Sequence, residues 1–151
     1  MLSASFYTKI GLLSITEAKG SIVSLNWEEK DRKGKNDVAS ELIKEARRQV
    51  EAFLEGNLVV FNLPISPGGS VFQRKVYDQL SNICFGKIRT YGDIAKTLDS
   101  GPRAVGNACG SNKCLILIPC HRVISKDIKN GGFSSFGGIV HKDRLIKYEV
   151  S

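Results

Sequence analysis

"TYGDIAKTLDSGPRAVGNACGSN", Thr90–Asn112, is the stretch on which the fold turns. Thr90 followed three residues later by Asp93 is the pattern of a capped helix start, so a short helix is expected through about Leu98. Asp99-Ser100-Gly101 makes a tight turn. Pro102 then stands where a first helical residue belongs, its missing N–H being unneeded there, and a second helix should run to about Gly110. Two short helices across a three-residue turn form a helix-turn-helix. Such units also occur as plain packing elements, but Arg103 at the head of the second helix favours DNA as the partner.

The charge distribution points the same way. The chain has 151 residues and a net charge of +7. Residues 1–69 hold nine Lys/Arg and nine Asp/Glu, whereas residues 70–151 hold thirteen and six, so the whole excess lies in the half with the helix-turn-helix. A polyanionic partner is the natural reading; a merely soluble basic surface is the plain alternative.

With 42% hydrophobic and 25% charged residues, the chain suits one globular unit or two small lobes. No apolar run approaches a membrane span. "MLSASFYTKIGLLSI" lacks the basic start and long apolar centre of a signal peptide, so an intracellular protein is expected. Its four cysteines, Cys84, Cys109, Cys114 and Cys120, are then expected to be reduced thiols. They form no C-x-x-C pair, and the only histidines are His121 and His141, so neither a metal nor a cofactor is expected. Cys109 and Cys114 read as small buried residues.

Upstream, "ASFYTKIGLLSITEAKGSIVSLNW" has three apolar runs broken at Lys9–Gly11 and Ala18–Gly20, an antiparallel meander. After the polar "EEKDRKGKND", Val38, Leu42, Ala46, Val50 and Leu54 recur every four residues as the stripe of an amphipathic helix that Gly56 ends. "NLVVFNLPI" looks extended, and "SPGG" at 66–69 reads as a hinge. Ser70 with Gln73 then caps a helix presenting Phe72, Val76, Leu80 and Ile83 on one face.

Downstream, "LILIPCHRVI", Leu115–Ile124, could serve as a buried strand yet carries a thiol, an imidazole and a guanidinium at Cys120, His121 and Arg122. Buried polar groups cost free energy unless paired. A thiol becomes a nucleophile as thiolate, and His121 and Arg122 offer a base and positive surroundings. Neighbours along a strand point to opposite faces, so a bridging water is one route between Cys120 and His121.

"TYGDIA", "GPRAVGNACGSN", "ILIPCHRVI" and "GGFSSFGG...HKDRLIKYE" occur in this order over residues 90–149. Together they resemble the methylated-DNA–protein-cysteine methyltransferase family, which repairs O6-alkylguanine. The resemblance covers the second lobe. It implies an α/β (α+β) fold with two parts. Residues 1–66 would be a structural, ribonuclease H-like antiparallel sheet-plus-helix lobe. Residues 67–151 would be a mostly helical DNA-binding and alkyl-transfer domain with a winged-helix-like helix-turn-helix.

By that resemblance Cys120 is the alkyl acceptor and His121 the base that draws off its proton through a water. Glu149 hydrogen-bonds to His121 and fixes its tautomer. Arg122 serves internal pairing. Tyr91 donates to the base as charge develops, and Asn112 pins the turn carrying Cys120. The backbone carbonyls of Cys120 and Val123 accept from the guanine amine. Arg103 is the finger that fills the space of a flipped base. Tyr91, Gly92, Ser100 and Lys126 contact the DNA backbone, and Leu115, Val123, Phe133 and Ser134 line the pocket. The implied partner is double-stranded DNA containing alkylated guanine, met by a monomer in the cytoplasm of a prokaryote or the nucleus of a eukaryote.

The chain departs from the family pattern in three places. "GGFSSFGG" is about two residues longer than the pattern, leaving Ser135 and Phe136 as rivals of Ser134 and Phe133 for the pocket; "SNKC" stands where asparagine–proline is frequent; and "ICFG" lacks a proline. Two other functions compete. An alkyltransferase-like DNA binder without transfer requires loss of the cysteine, and Cys120 is present. A cysteine hydrolase using Cys120 and His121 would need an oxyanion hole and would leave the helix-turn-helix of the basic half unexplained.

Overall fold

The computed structural model describes residues 1–28 and 39–125, together with Leu145 and Glu149. Strands β1 (Leu2–Thr8), β2 (Gly11–Ala18) and β3 (Ser21–Trp27) form an antiparallel meander in that order. The β2–β3 hairpin turns on Lys19 and Gly20, whose φ angles of 52° and 78° are the left-handed pair that suits strand twist. A register shift at Thr16/Glu17 resets the alternation, so Ile22, Leu25 and Trp27 of β3 all face inward with Leu13 and Ile15 of β2.

Helix α1 (Glu41–Leu54) packs on this sheet, its N-terminus capped by Ser40. Its buried face is Ile43, Ala46, Gln49, Val50, Phe53 and Leu54. The expected every-fourth stripe is buried at Ala46, Val50 and Leu54, with Leu42 half-buried against the core, and Val38 lies outside the described residues. A spacing of four overruns the 3.6-residue turn, so the i±3 positions Ile43, Gln49 and Phe53 complete the buried face.

The segment expected to be extended, residues 57–65, is largely irregular and joins the sheet only at Ile65, which bridges to Ile22. Gln49 holds it instead. Its amide donates to the Asn62 carbonyl at 3.0 Å and accepts from the Asn62 N–H at 2.9 Å, replacing a ladder partner with a side chain.

Helix α2 (Val71–Ser81) begins with the expected capping box of Ser70 and Gln73. The short strand β4 (Arg89–Thr90) leads into α3 (Tyr91–Thr97), where Thr90 and Asp93 cap reciprocally. Asp99, at φ 53°, and the bond from Ser100 N–H to the Ala95 carbonyl at 2.8 Å shape the turn before α4 (Pro102–Gly110). Helix α4 packs on α3 and α2, so the helix-turn-helix is present as expected. Strand β5 (Val123–Ile124) pairs in parallel with β4. One core joins the sheet, α1 and the C-terminal helices, and Phe53 marks the join, its ring centroid 5.2 Å from that of Phe61 and 5.8 Å from that of Phe85. Among the described residues no helix is long and apolar enough to cross a membrane.

The outer edge of β3 is not left open. The Ile22 N–H donates to Pro64 and the Ser66 N–H donates back to Ile22, both at 2.8 Å. Further along, the Leu25 N–H donates to Lys113 at 2.8 Å and the Leu115 N–H to Leu25 at 2.9 Å. An exposed edge is a template for unwanted pairing; here it secures the segment that leads to Cys120.

Candidate active site

The run expected as a possible strand, Leu115–Ile124, is one only at Val123–Ile124. Before that it folds through tight turns. Leu117 N–H donates to the Leu115 carbonyl at 2.7 Å with Ile116 at φ 70°, and Ile118 N–H donates to Cys114 at 2.9 Å. A β-branched residue at positive φ costs on the order of 1–3 kcal/mol. Asn112 holds this turn closed from inside, its amide donating to the Ile118 carbonyl and its oxygen accepting from the Cys114 N–H, both at 2.9 Å. Pro119 then removes a ladder donor, and Cys120–Arg122 form a single 3-10 turn. A side-chain partner plus a proline outcompete the strand.

In that turn Cys120, His121 and Arg122 are all buried, Cys120 completely. Glu149 meets two of them. Its carboxylate is 2.5 Å from His121 Nε2 and accepts from Arg122 Nε at 2.7 Å and Arg122 Nη2 at 3.0 Å. Gly86 N–H approaches one carboxylate oxygen at 3.4 Å, and Arg122 Nη1 donates to the Ile83 carbonyl at 2.7 Å. An ionised carboxylate only accepts, so His121 carries its proton on Nε2, and Nδ1 is the basic nitrogen. Burial alone would raise the Glu149 carboxyl; the hydrogen bonds and charges of His121 and Arg122 outweigh it and hold it at about 2.

Tyr91, the first residue of α3, is brought beside this turn by the β4–β5 pairing and is buried. Burial, then the nearby thiols of Cys109 and Cys120, push its phenol well above the ordinary value. It is therefore a neutral O–H donor at physiological pH. Burial likewise pushes Cys114 up to about 12, which leaves it an inert thiol. Cys109 is buried and Cys84 exposed, and none of the four cysteines is in a disulfide.

The structure thus brings Cys120, His121, Glu149, Tyr91 and Asn112 to one place. Gly92, Ser100 and Arg103 are exposed on the helix-turn-helix. Leu115 and Val123 are buried, and the Cys120 carbonyl already accepts from the Val123 N–H. Lys126, Phe133 and Ser134, with the rivals Ser135 and Phe136, lie outside the described residues. A cleft of about 620 Å³ opens between Val60, Phe61, Cys84, Phe85, Leu117 and Arg122. Neither Cys120 nor Tyr91 lines it, so it is not the guanine pocket the sequence implies. Sequence reasoning missed the fork of Arg122 on Glu149 and the fastening of the Cys120 run to β3. Neither has a local signal, since the partners lie 27 and about 90 residues away.

A buried cysteine followed by a carboxylate-oriented histidine, beside a helix-turn-helix that exposes Arg103, is the arrangement of an imidazole-activated thiol on a scaffold of nucleic-acid-binding type. Residues 71–151 match the family described as 6-O-methylguanine DNA methyltransferase, DNA binding domain, and residues 1–67 match its ribonuclease-like domain. The chain belongs to the 6-O-methylguanine DNA methyltransferase family. It is similar to the methylated-DNA–protein-cysteine methyltransferase of Methanosarcina acetivorans, 42% identical over 74% of this chain and 71% of that one. The Sulfolobus acidocaldarius protein of the same name is 31% identical over 95% of this chain and 90% of its own. Among solved structures, the Mycobacterium tuberculosis enzyme in complex with DNA superposes with a TM-score of 0.84 at 30% identity, covering 99% of this chain and 93% of that one.

Proposed function

We propose that this protein repairs O6-alkylguanine in duplex DNA by moving the alkyl group once, irreversibly, to Cys120. The observation that carries this reading is the pairing of His121 Nε2 with Glu149, which leaves Nδ1 as the base for the neighbouring thiol. The Cys120 proton passes to His121 through a water. Sulfur then forms a bond to the alkyl carbon as the carbon–O6 bond breaks, and guanine leaves as an anion that the Tyr91 hydroxyl stabilises. The resulting thioether has no facile leaving group, so the site does not regenerate.

Access requires the base to leave the stack. Arg103 fills the gap, while Tyr91, Gly92, Ser100 and Lys126 hold the backbone. Leu115, Val123, Phe133 and Ser134 line the pocket. Residues 1–66 support, and residues 67–151 bind DNA and react. The protein works as a monomer in the cytoplasm, or in the nucleus of a eukaryote, with double-stranded DNA carrying alkylated guanine.

Incubation with duplex DNA containing O6-methylguanine, followed by intact mass measurement, tests this. One methyl group per chain is expected, localised to Cys120 and absent in Cys120→Ser. Sustained multiple turnover overturns the single-use mechanism.

A further inference from the structure

Arg122 is bound on three sides. Its fork spans both oxygens of Glu149, its remaining nitrogen bonds the Ile83 carbonyl, and its guanidinium lies 5.9 Å from the centroid of the Phe85 ring. His121 bonds the same carboxylate, and all three side chains are buried. A buried carboxylate facing an imidazole alone would draw a proton onto it and hold it there, leaving no base. A second, permanent cation on that carboxylate changes the balance.

We propose that Arg122 is a positioning residue for alkyl transfer: by sharing Glu149 with His121 it lets the carboxylate orient the imidazole without trapping it as an imidazolium. This rests on the reading of His121 as the base for Cys120. At rest the cluster holds one guanidinium, one carboxylate and a neutral imidazole, with no net charge. After proton transfer the thiolate and imidazolium add one charge of each sign, so the buried cluster stays balanced throughout. Around it lie phenols and thiols, together with Arg89 of the paired strand β4, whose guanidinium turns to Gln79 and Thr97. Tyr77 of α2 and Tyr91 of α3 lie within electrostatic reach of Cys120 and of Cys109 of α4, Cys114 within reach of Tyr77, and Cys84 lines the cleft beside Arg122.

The sign of the effect follows. Removing a cation makes proton loss harder from both His121 and Cys120, so the acid limb of the transfer rate must move to higher pH. From a neighbouring buried charge the expected shift is about one to two pH units. Single-turnover transfer from free O6-benzylguanine is measured against pH for wild type, Arg122→Met, Arg122→Gln and Arg122→Lys. The two neutral variants should show the shifted limb, and Arg122→Lys should return it most of the way. A merely structural arginine would lower the rate or the melting temperature in all three variants with the limb unmoved, and that result overturns the proposal. His121 titration by NMR in a Cys120→Ser background gives the same answer without chemistry. Its imidazole should titrate higher when Arg122 is neutralised. Wild type that accepts no alkyl group would sink the proposed function, while the NMR titration would still decide the role of Arg122.

Discussion

Leu25 and Cys114 are partners in an isolated parallel bridge that ties the N-terminal sheet to the segment leading to Cys120. The Leu25 N–H and carbonyl bond the residues on either side of Cys114, and the Leu25 side chain is fully buried. The first lobe therefore supports the Cys120 run through backbone as well as through packing. Leu25→Ala should cost about 2–5 kcal/mol by leaving a cavity in the shared core. Denaturant unfolding measures this, and hydrogen exchange should show faster exchange at the Leu115 and Ile118 amides. Unchanged exchange at those amides would mean the bridge does not hold the run.

Glu149 makes stability depend on acid. Its carboxyl lies at about 2 in the fold against an ordinary 4.5. A depressed carboxyl stabilises the fold fully above the unfolded value and loses that contribution as pH falls through the folded one. Stability should therefore fall between about pH 4.5 and pH 2, and Glu149→Gln should flatten that part of the profile. Melting temperatures across the range check it.

Asn112 is the single side chain that satisfies both ends of the strained turn. Asn112→Ala leaves the Cys114 N–H buried and unpaired, a cost of about 1–3 kcal/mol, while the Ile118 carbonyl keeps only the Cys120 N–H at 2.8 Å. Asn112→Asp should be no better, because a carboxylate accepts from Cys114 but is repelled by the Ile118 carbonyl. Denaturation midpoints and transfer rates should fall together in both variants. A variant with lost stability and full transfer rate would show that the turn does not position Cys120.

These features divide sharply by how local their physics is. The meander turns, the two capping boxes and the Pro102 start of α4 were legible because each is decided within four residues. The meeting of His121 and Glu149 was legible only through the family resemblance, since nothing local links positions 28 residues apart. The irregular path of residues 57–65 and the turns at Leu115–Ile118 were not legible. Apolar composition reads as strand, whereas the backbone partners there are side chains, Gln49 and Asn112, lying elsewhere in the chain. The resemblance implied internal pairing for Arg122, but its partner Glu149 was hidden for the same reason. The neighbours of Arg122 in sequence show a cation beside a thiol and give no hint that it shares a carboxylate.

Arg103 is exposed at the second position of α4, with Ala104 and Asn107 exposed on the same helix and Val105, Ala108 and Cys109 turned into the core. The helix thus offers Arg103 outward while its other side packs on α2 and α3. If Arg103 replaces a flipped base in the stack, its loss should matter only where there is a stack to open. Arg103→Ala should slow repair of duplex O6-methylguanine by at least tenfold, leaving reaction with free O6-benzylguanine within about twofold and the melting temperature nearly unchanged, as for an exposed side chain. Binding to undamaged duplex should remain salt-sensitive and nearly indifferent to sequence. Equal losses on duplex and free base would place Arg103 in the support of the pocket, and a change in sequence preference would make it a reader of base edges.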